Sequence, residues 1–139
     1  MPPAILTDSG PIVAFLDRSD EHHDWARKQF GSISSPLLTC EGTITESTHL
    51  LHDAGLPPWA VLELIERGII VTNFDLKSNL HRVLSLMKKY ADTPMDFVDA
   101  CLVCMTEAKR DCQLLTLDSD FRVYRRFERQ TIPLIAPVK

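Results

Sequence analysis

Four acids, Asp8, Glu46, Asp99 and Asp118, with Asp96 and Asp120 beside the last two, are the residues whose types and placement could do chemistry together. Two bare carboxylates about 4 Å apart repel by roughly 4 kcal/mol at an effective dielectric near 20, so a cluster of them requires cations or protons. An all-oxygen set without a paired His or Cys suits Mg2+ or Mn2+ better than zinc. Such a site fits hydrolysis of phosphodiesters, where bound metal activates water and stabilises the leaving oxygen.

Each acid must be weighed against a plainer role. Asp8, in Asp8-Ser9-Gly10-Pro11, is either a ligand or an acid that starts a helix. Glu46 closes Thr43-Ile44-Thr45-Glu46, which has the spacing of a capping box. With Thr93 as N-cap and Pro94 as first helical residue, Asp96 falls at the third position, where an acid also caps. Asp99 lies one turn deeper among Phe97, Val98, Ala100 and Leu102, and an acid on so apolar a helix is either partnered or functional. Glu46 and His49 have the Glu-x-x-His spacing of di-iron bundles, but that site needs a second copy, which the sequence lacks.

The elements that must position these acids alternate. Short apolar runs at 4–7, 36–40, 69–72 and 113–117 predict strands, and 131–135, interrupted by Pro133, predicts an edge strand. Helical spacing is expected from Pro11 to Leu16, over 20–30, from Ile44 to a stop at Gly55, over 58–67 and 76–90, and from Thr93 onward. His22 and His23 are expected to face solvent. A last helix is read over 121–129, where Arg122, Arg125, Arg126 and Arg129 share a face that could hold a phosphate backbone. The alternation predicts an α/β fold with three layers, α/β/α, around a mainly parallel, roughly five-stranded sheet, as a single domain over residues 1–139. Functional clefts of such sheets lie outside the carboxyl ends of the strands, where Asp8 and Asp118 are expected.

Composition narrows the setting. With 45% hydrophobic and 24% charged residues in 139, the chain can bury a substantial core. No apolar run approaches the roughly 20 residues of a membrane span, and the start lacks a secretory pattern, so a cytoplasmic protein is expected. Cys40, Cys101, Cys104 and Cys112 are read as reduced, the Cys101/Cys104 pair lying inside an apolar helix instead of beside a strand. A net charge of −4 argues against a broad nucleic-acid footprint and leaves room only for local binding.

The sequence resembles the PIN-domain ribonucleases found as toxins of toxin–antitoxin pairs (VapC-like). The likeness is carried by Leu6-Thr7-Asp8-Ser9-Gly10-Pro11, Ile44-Thr45-Glu46, Met95-Asp96-Phe97-Val98-Asp99-Ala100 and Leu115-Thr116-Leu117-Asp118-Ser119-Asp120-Phe121, in that order. It implies that Asp8, Glu46, Asp99 and Asp118 are the catalytic, metal-binding acids for Mg2+ or Mn2+. Asp96 and Asp120 stay open as alternative or shared ligands, and Ser9 and Thr116 are supporting residues by position. It further implies RNA as substrate, a homodimer, and an antitoxin protein that blocks the site. Two rivals remain: a PIN-like binding module without catalysis, and a haloacid-dehalogenase-like phosphatase using Asp118-Ser119-Asp120. The latter is disfavoured because that nucleophile belongs after the first strand.

Overall fold

The structure, a computed structural model, describes residues 2–138. Its strands are β1 (Ala4–Thr7), β2 (Leu37–Thr39), β3 (Ile70–Thr72), β4 (Cys112–Leu115), β5 (Arg125–Arg126), β6 (Gln130–Thr131) and β7 (Leu134–Ile135). Five of them form one sheet in the order β3-β2-β1-β4-β7, with every pairing parallel. The helices are α1 (Ser9–Leu16), α2 (His23–Ser32), α3 (Glu41–Asp53), α4 (Ala60–Glu66), α5 (Leu76–Lys89) and α6 (Phe97–Ala108).

The three layers follow from the two-residue period of the central strands. In β1, Ile5 enters a core with Ile12, Ile44, Leu51, Val61 and Leu64 of α1, α3 and α4. Its neighbour Leu6 points to the other face, into a core with Val83, Leu86 and the apolar residues of α6. Leu115 and Leu114 of β4 divide in the same way. Both faces are therefore covered, as a parallel sheet requires. Among the described residues no helix is long and apolar enough to cross a membrane, and all four cysteines are free and buried.

Four local expectations are corrected. The first helix begins at Ser9, so Pro11 is its third residue. The capping box at Thr43–Glu46 does not form: Cys40 is the N-cap of α3 without a side-chain cap, which leaves Glu46 free for other partners. Helix α6 starts later than Thr93; Asp96 is its N-cap, and its Oδ1 accepts the Asp99 backbone N–H at 2.8 Å. Residues 121–129 do not form a helix. A 3-10 turn (Ser119–Arg122) leads into a hairpin of β5 and β6, turned by Phe127 and Glu128 at φ of 50° and 69°. The arginines at 122, 125, 126 and 129, with aromatic residues at 121, 124 and 127, have a helical spacing that the backbone does not follow.

Helices α3 and α6, which carry Glu46 and Asp99, meet closely at one glycine. A Cβ on Gly42 would stand 2.8 Å from Cγ2 of Val98, a stiff β-branched side chain. Gly42→Ala is expected to wedge the helices apart and cost about 1–3 kcal/mol, read as a lower midpoint in urea unfolding.

Candidate active site

The strand ends deliver the acids. Asp8 follows β1, its N–H held by the Leu115 carbonyl at 3.0 Å, so the chain stays in register with β4 up to the residue that bears the carboxylate. It is also the N-cap of α1, with Oδ1 accepting the Ser9 N–H at 2.8 Å. Its Oδ2 accepts the Thr116 hydroxyl at 3.1 Å, and the oxygen of that hydroxyl accepts the Asp118 N–H at 3.0 Å. One threonine thus fixes both the Asp8 carboxylate and the turn that carries Asp118. On α3, Glu46 accepts the Ser9 hydroxyl at 3.2 Å.

Asp99 is 8% exposed, far more buried than Asp96, its neighbour across the first turn of α6. Its Oδ2 accepts the Tyr124 hydroxyl at 3.0 Å, while the Pro94 carbonyl lies 3.2 Å from the same hydroxyl oxygen. Tyr124 is missed by sequence reasoning, because in a helix over 121–129 it falls with Phe121 and Phe127 as one of three alternating aromatics. The usable signal was a tyrosine among apolar neighbours, since a buried phenol seeks a partner.

Together Asp8, Ser9, Glu46, His49, Leu50, Asp96, Asp99 and Asp118 line one open pocket of about 320 Å3. No lysine or arginine is among them, and His49 faces Asp53 at 3.3 Å. The electrostatic consequence is visible in the carboxyls. Burial, aided by the charges of Glu46 and Asp118, pushes Asp8 up to about 6. Burial and the adjacent Asp96 push Asp99 up to about 7. Glu46 is raised by burial and by Asp96 as well, and burial beside Asp99 raises the Tyr124 phenol.

Among the described residues, no three His, Cys, Asp or Glu side chains are drawn together closely enough to hold an ion as they stand. Mutual repulsion accounts for such spreading. The donor set itself fits a hard divalent cation: five carboxylates, His49 drawn to Asp53, no lysine or arginine among the described lining residues, and spare lone pairs on Asp8 after its two hydrogen bonds. A larger cavity of about 510 Å3 at the amino ends of β2 and β3, between Phe15, Arg27, Pro36 and Ile69, contains no carboxylate. Chemistry, not size, singles out the acid pocket.

Asp120 does not line that pocket; its N–H is bound by Asp118 Oδ1 at 2.9 Å, a turn-forming contact. The arginines also separate. Arg126 is 9% exposed and donates to the Thr106 carbonyl at 2.9 Å, and Arg125 donates to the carbonyls of Arg122, Val123 and Tyr124. Neither is a free phosphate ligand, because the loss of the helix turned both back onto the protein. Arg122 and Arg129 are exposed. His22 and His23 are half-buried instead of facing solvent, and His23 Nδ1 lies 2.8 Å from the Ala14 carbonyl.

Tyr124→Phe removes the one donor to the Asp99 carboxylate among the described residues while preserving the aromatic packing against Tyr90 and Phe121. The expected result is a loss of about 1–2 kcal/mol of stability, seen in urea unfolding, and weaker binding of Mn2+ by calorimetry.

A parallel sheet with acids gathered beyond its carboxyl ends is the arrangement of the PIN domain, and a model of that family matches residues 5–126. The chain belongs to the PIN-domain family. Among solved structures it is similar to VapC20 of Mycobacterium tuberculosis, a toxin that cleaves the sarcin–ricin loop. The two align with a TM-score of 0.77 at 17% identity, over 91% of this chain and 99% of that one. Comparison with curated proteins gave no significant match.

Proposed function

We propose that this protein is a Mg2+- or Mn2+-dependent endoribonuclease, the cytoplasmic toxin of a toxin–antitoxin pair, working as a homodimer and restrained by an antitoxin. The observation that carries the proposal is the meeting of Asp8, Glu46, Asp96, Asp99 and Asp118 in one pocket that, among the described residues, holds no lysine or arginine, within a PIN fold. The likeness to VapC20 supports RNA as substrate and toxin as role.

In this reading Asp8, Glu46, Asp99 and Asp118 hold the metal, with Asp96 as a neighbour on the pocket's rim. The bound cation would supply an activated water and neutralise charge at the leaving oxygen. Thr116 orients Asp8, Ser9 orients Glu46 and Tyr124 orients Asp99, so the carboxylates that follow β1 and that stand on α3 and α6 each have a hydroxyl setting their angle. The phosphatase alternative fits less well, since Asp118-Ser119-Asp120 follows β4 and Asp120 faces away from the pocket lining.

The test is incubation of the purified protein with a panel of structured RNAs, including a sarcin–ricin hairpin, with Mn2+ or with EDTA. Discrete fragments only in the presence of metal are expected, with p-nitrophenyl phosphate left intact. Monoester turnover without RNA fragments would contradict the proposal.

A further inference from the structure

The acid pocket repels the very polymer it is proposed to cut, because every nucleotide carries a phosphate and, among the described residues, the pocket lining has no lysine or arginine. The strand must therefore be held beside it. A second cavity, of about 200 Å3, shares Asp118 with the acid pocket and lies past the carboxyl ends of β4 and β7. Its apolar wall is made by Leu117, Leu134 and Pro137, and Arg122 and His22 stand at its polar side. The volume is below the roughly 300–1,000 Å3 typical of drug-sized ligands and suits a single ring system.

Arg122 differs from Arg125 and Arg126, and unlike Arg129 it lines this cavity. It is exposed, and among the described residues its guanidinium takes part in no ion pair; only its carbonyl is engaged, by Arg125. Arg125 and Arg126 are spent on backbone carbonyls, and Arg82 on Glu107 and Glu128. An unpaired guanidinium beside an apolar slot, next to a carboxylate of the acid pocket, has the groups needed for a phosphate and for its base. His22 adds an aromatic ring on which an unstacked base can lie.

We propose that this cavity is a subsite for the nucleotide adjoining the scissile phosphodiester, with the base against Leu117, Leu134 and Pro137 and its phosphate on Arg122. The assignment rests on the nuclease reading above and adds to it a determinant of strand binding outside the metal-binding acids.

Two variants test it. Arg122→Gln removes the charge at an exposed position, and Ala136→Leu fills the cavity from its rim. Binding of a fluorescein-labelled hexaribonucleotide is followed by anisotropy across a salt series, and cleavage of the same oligomer with Mn2+ is followed in parallel. For Arg122→Gln, affinity roughly tenfold lower and a log–log salt slope shallower by about one are expected. The loss should fall on KM, with kcat little changed. Ala136→Leu should weaken binding without altering the slope. Wild-type affinity and slope in both variants would overturn the subsite. A wild-type protein that binds the oligomer through Arg122 yet cuts no RNA would keep the cavity as a nucleotide site and overturn the nuclease assignment together with the site's place beside a scissile bond.

Discussion

Asp99→Asn is expected to abolish metal-dependent RNA cleavage while leaving the fold at least as stable as the wild type. Asparagine keeps the size of the side chain, and its carbonyl oxygen can still accept the Tyr124 hydroxyl that Asp99 Oδ2 accepts at 3.0 Å. What disappears is a negative charge placed beside Asp96, Asp8 and Asp118, whose repulsion, after burial, is what lifts the Asp99 carboxyl to about 7. Removing even an outer partner of a metal ligand lowers affinity or activity by roughly 10–100-fold, and removal of a ligand carboxylate itself is expected to cost at least as much. The effect is activity at or below the detection limit of a gel assay, with an unchanged or higher melting temperature. A large loss of stability would mean that Asp99 is structural. Cleavage near the wild-type rate would remove it from the site, leaving Asp96 to be tested in its place.

The second large effect concerns pH. Asp8 and Asp99 are raised from an ordinary carboxyl value of 3.8 to about 6 and about 7. Between about pH 4 and pH 7 the folded protein therefore retains protons that the unfolded chain has released. The stability this contributes is complete below the unfolded value and is lost as the pH rises through the folded ones. Glu128, held low by Lys89 and Arg82, is charged throughout the range above pH 5 and does not oppose the trend there. Metal-free protein should thus melt at progressively lower temperature from about pH 5 to about pH 8. With both carboxyls contributing, the loss is on the order of a few kcal/mol, or roughly 10 °C.

Mn2+ should reverse the trend, because it binds the deprotonated carboxylates, and its stabilisation should be largest at pH 8. Differential scanning calorimetry of the metal-free and Mn2+-loaded protein checks this. A metal-free melting temperature that rises over the same interval would mean that the pocket acids are not crowded in the way their burial and spacing indicate. Asp99→Asn should flatten the profile.

Much of the fold was legible because its signals are local and repeated. The apolar runs 4–7, 69–72 and 113–117 mark strands by length and composition, and their alternation with amphipathic helices implies parallel pairing covered on both faces. Asp8 and Asp118 could be placed beyond strand ends for the same reason. The hairpin after β4 was not legible. Arg122, Arg125, Arg126 and Arg129 have the offsets of one helical face, yet Arg126 is buried to bond the Thr106 carbonyl and Phe121 and Tyr124 are buried in the core with α6, contacts that no local spacing encodes. Neither Phe127 nor Glu128 is a residue type that announces a positive φ.

At the site, sequence could propose the acids but not divide their roles. Asp99 stands out in the chain by its apolar neighbours and Asp96 by its place near a helix start. Which residue starts the helix, and with it the place of Asp96 as N-cap and not third residue, is set by the fold. The hydroxyls behave similarly. Ser9 and Thr116 were suggested by adjacency, whereas Tyr124 reaches Asp99 across a separation of 25 residues that no local pattern encodes.

The most direct measurement of the proposed metal site is the anomalous diffraction of a Mn2+-soaked crystal. An anomalous peak is predicted in the pocket lined by Asp8, Glu46, Asp99 and Asp118, with carboxylate oxygens of these residues as its protein ligands. A pocket that stays empty at saturating Mn2+, or a peak bound elsewhere on the protein, would contradict it.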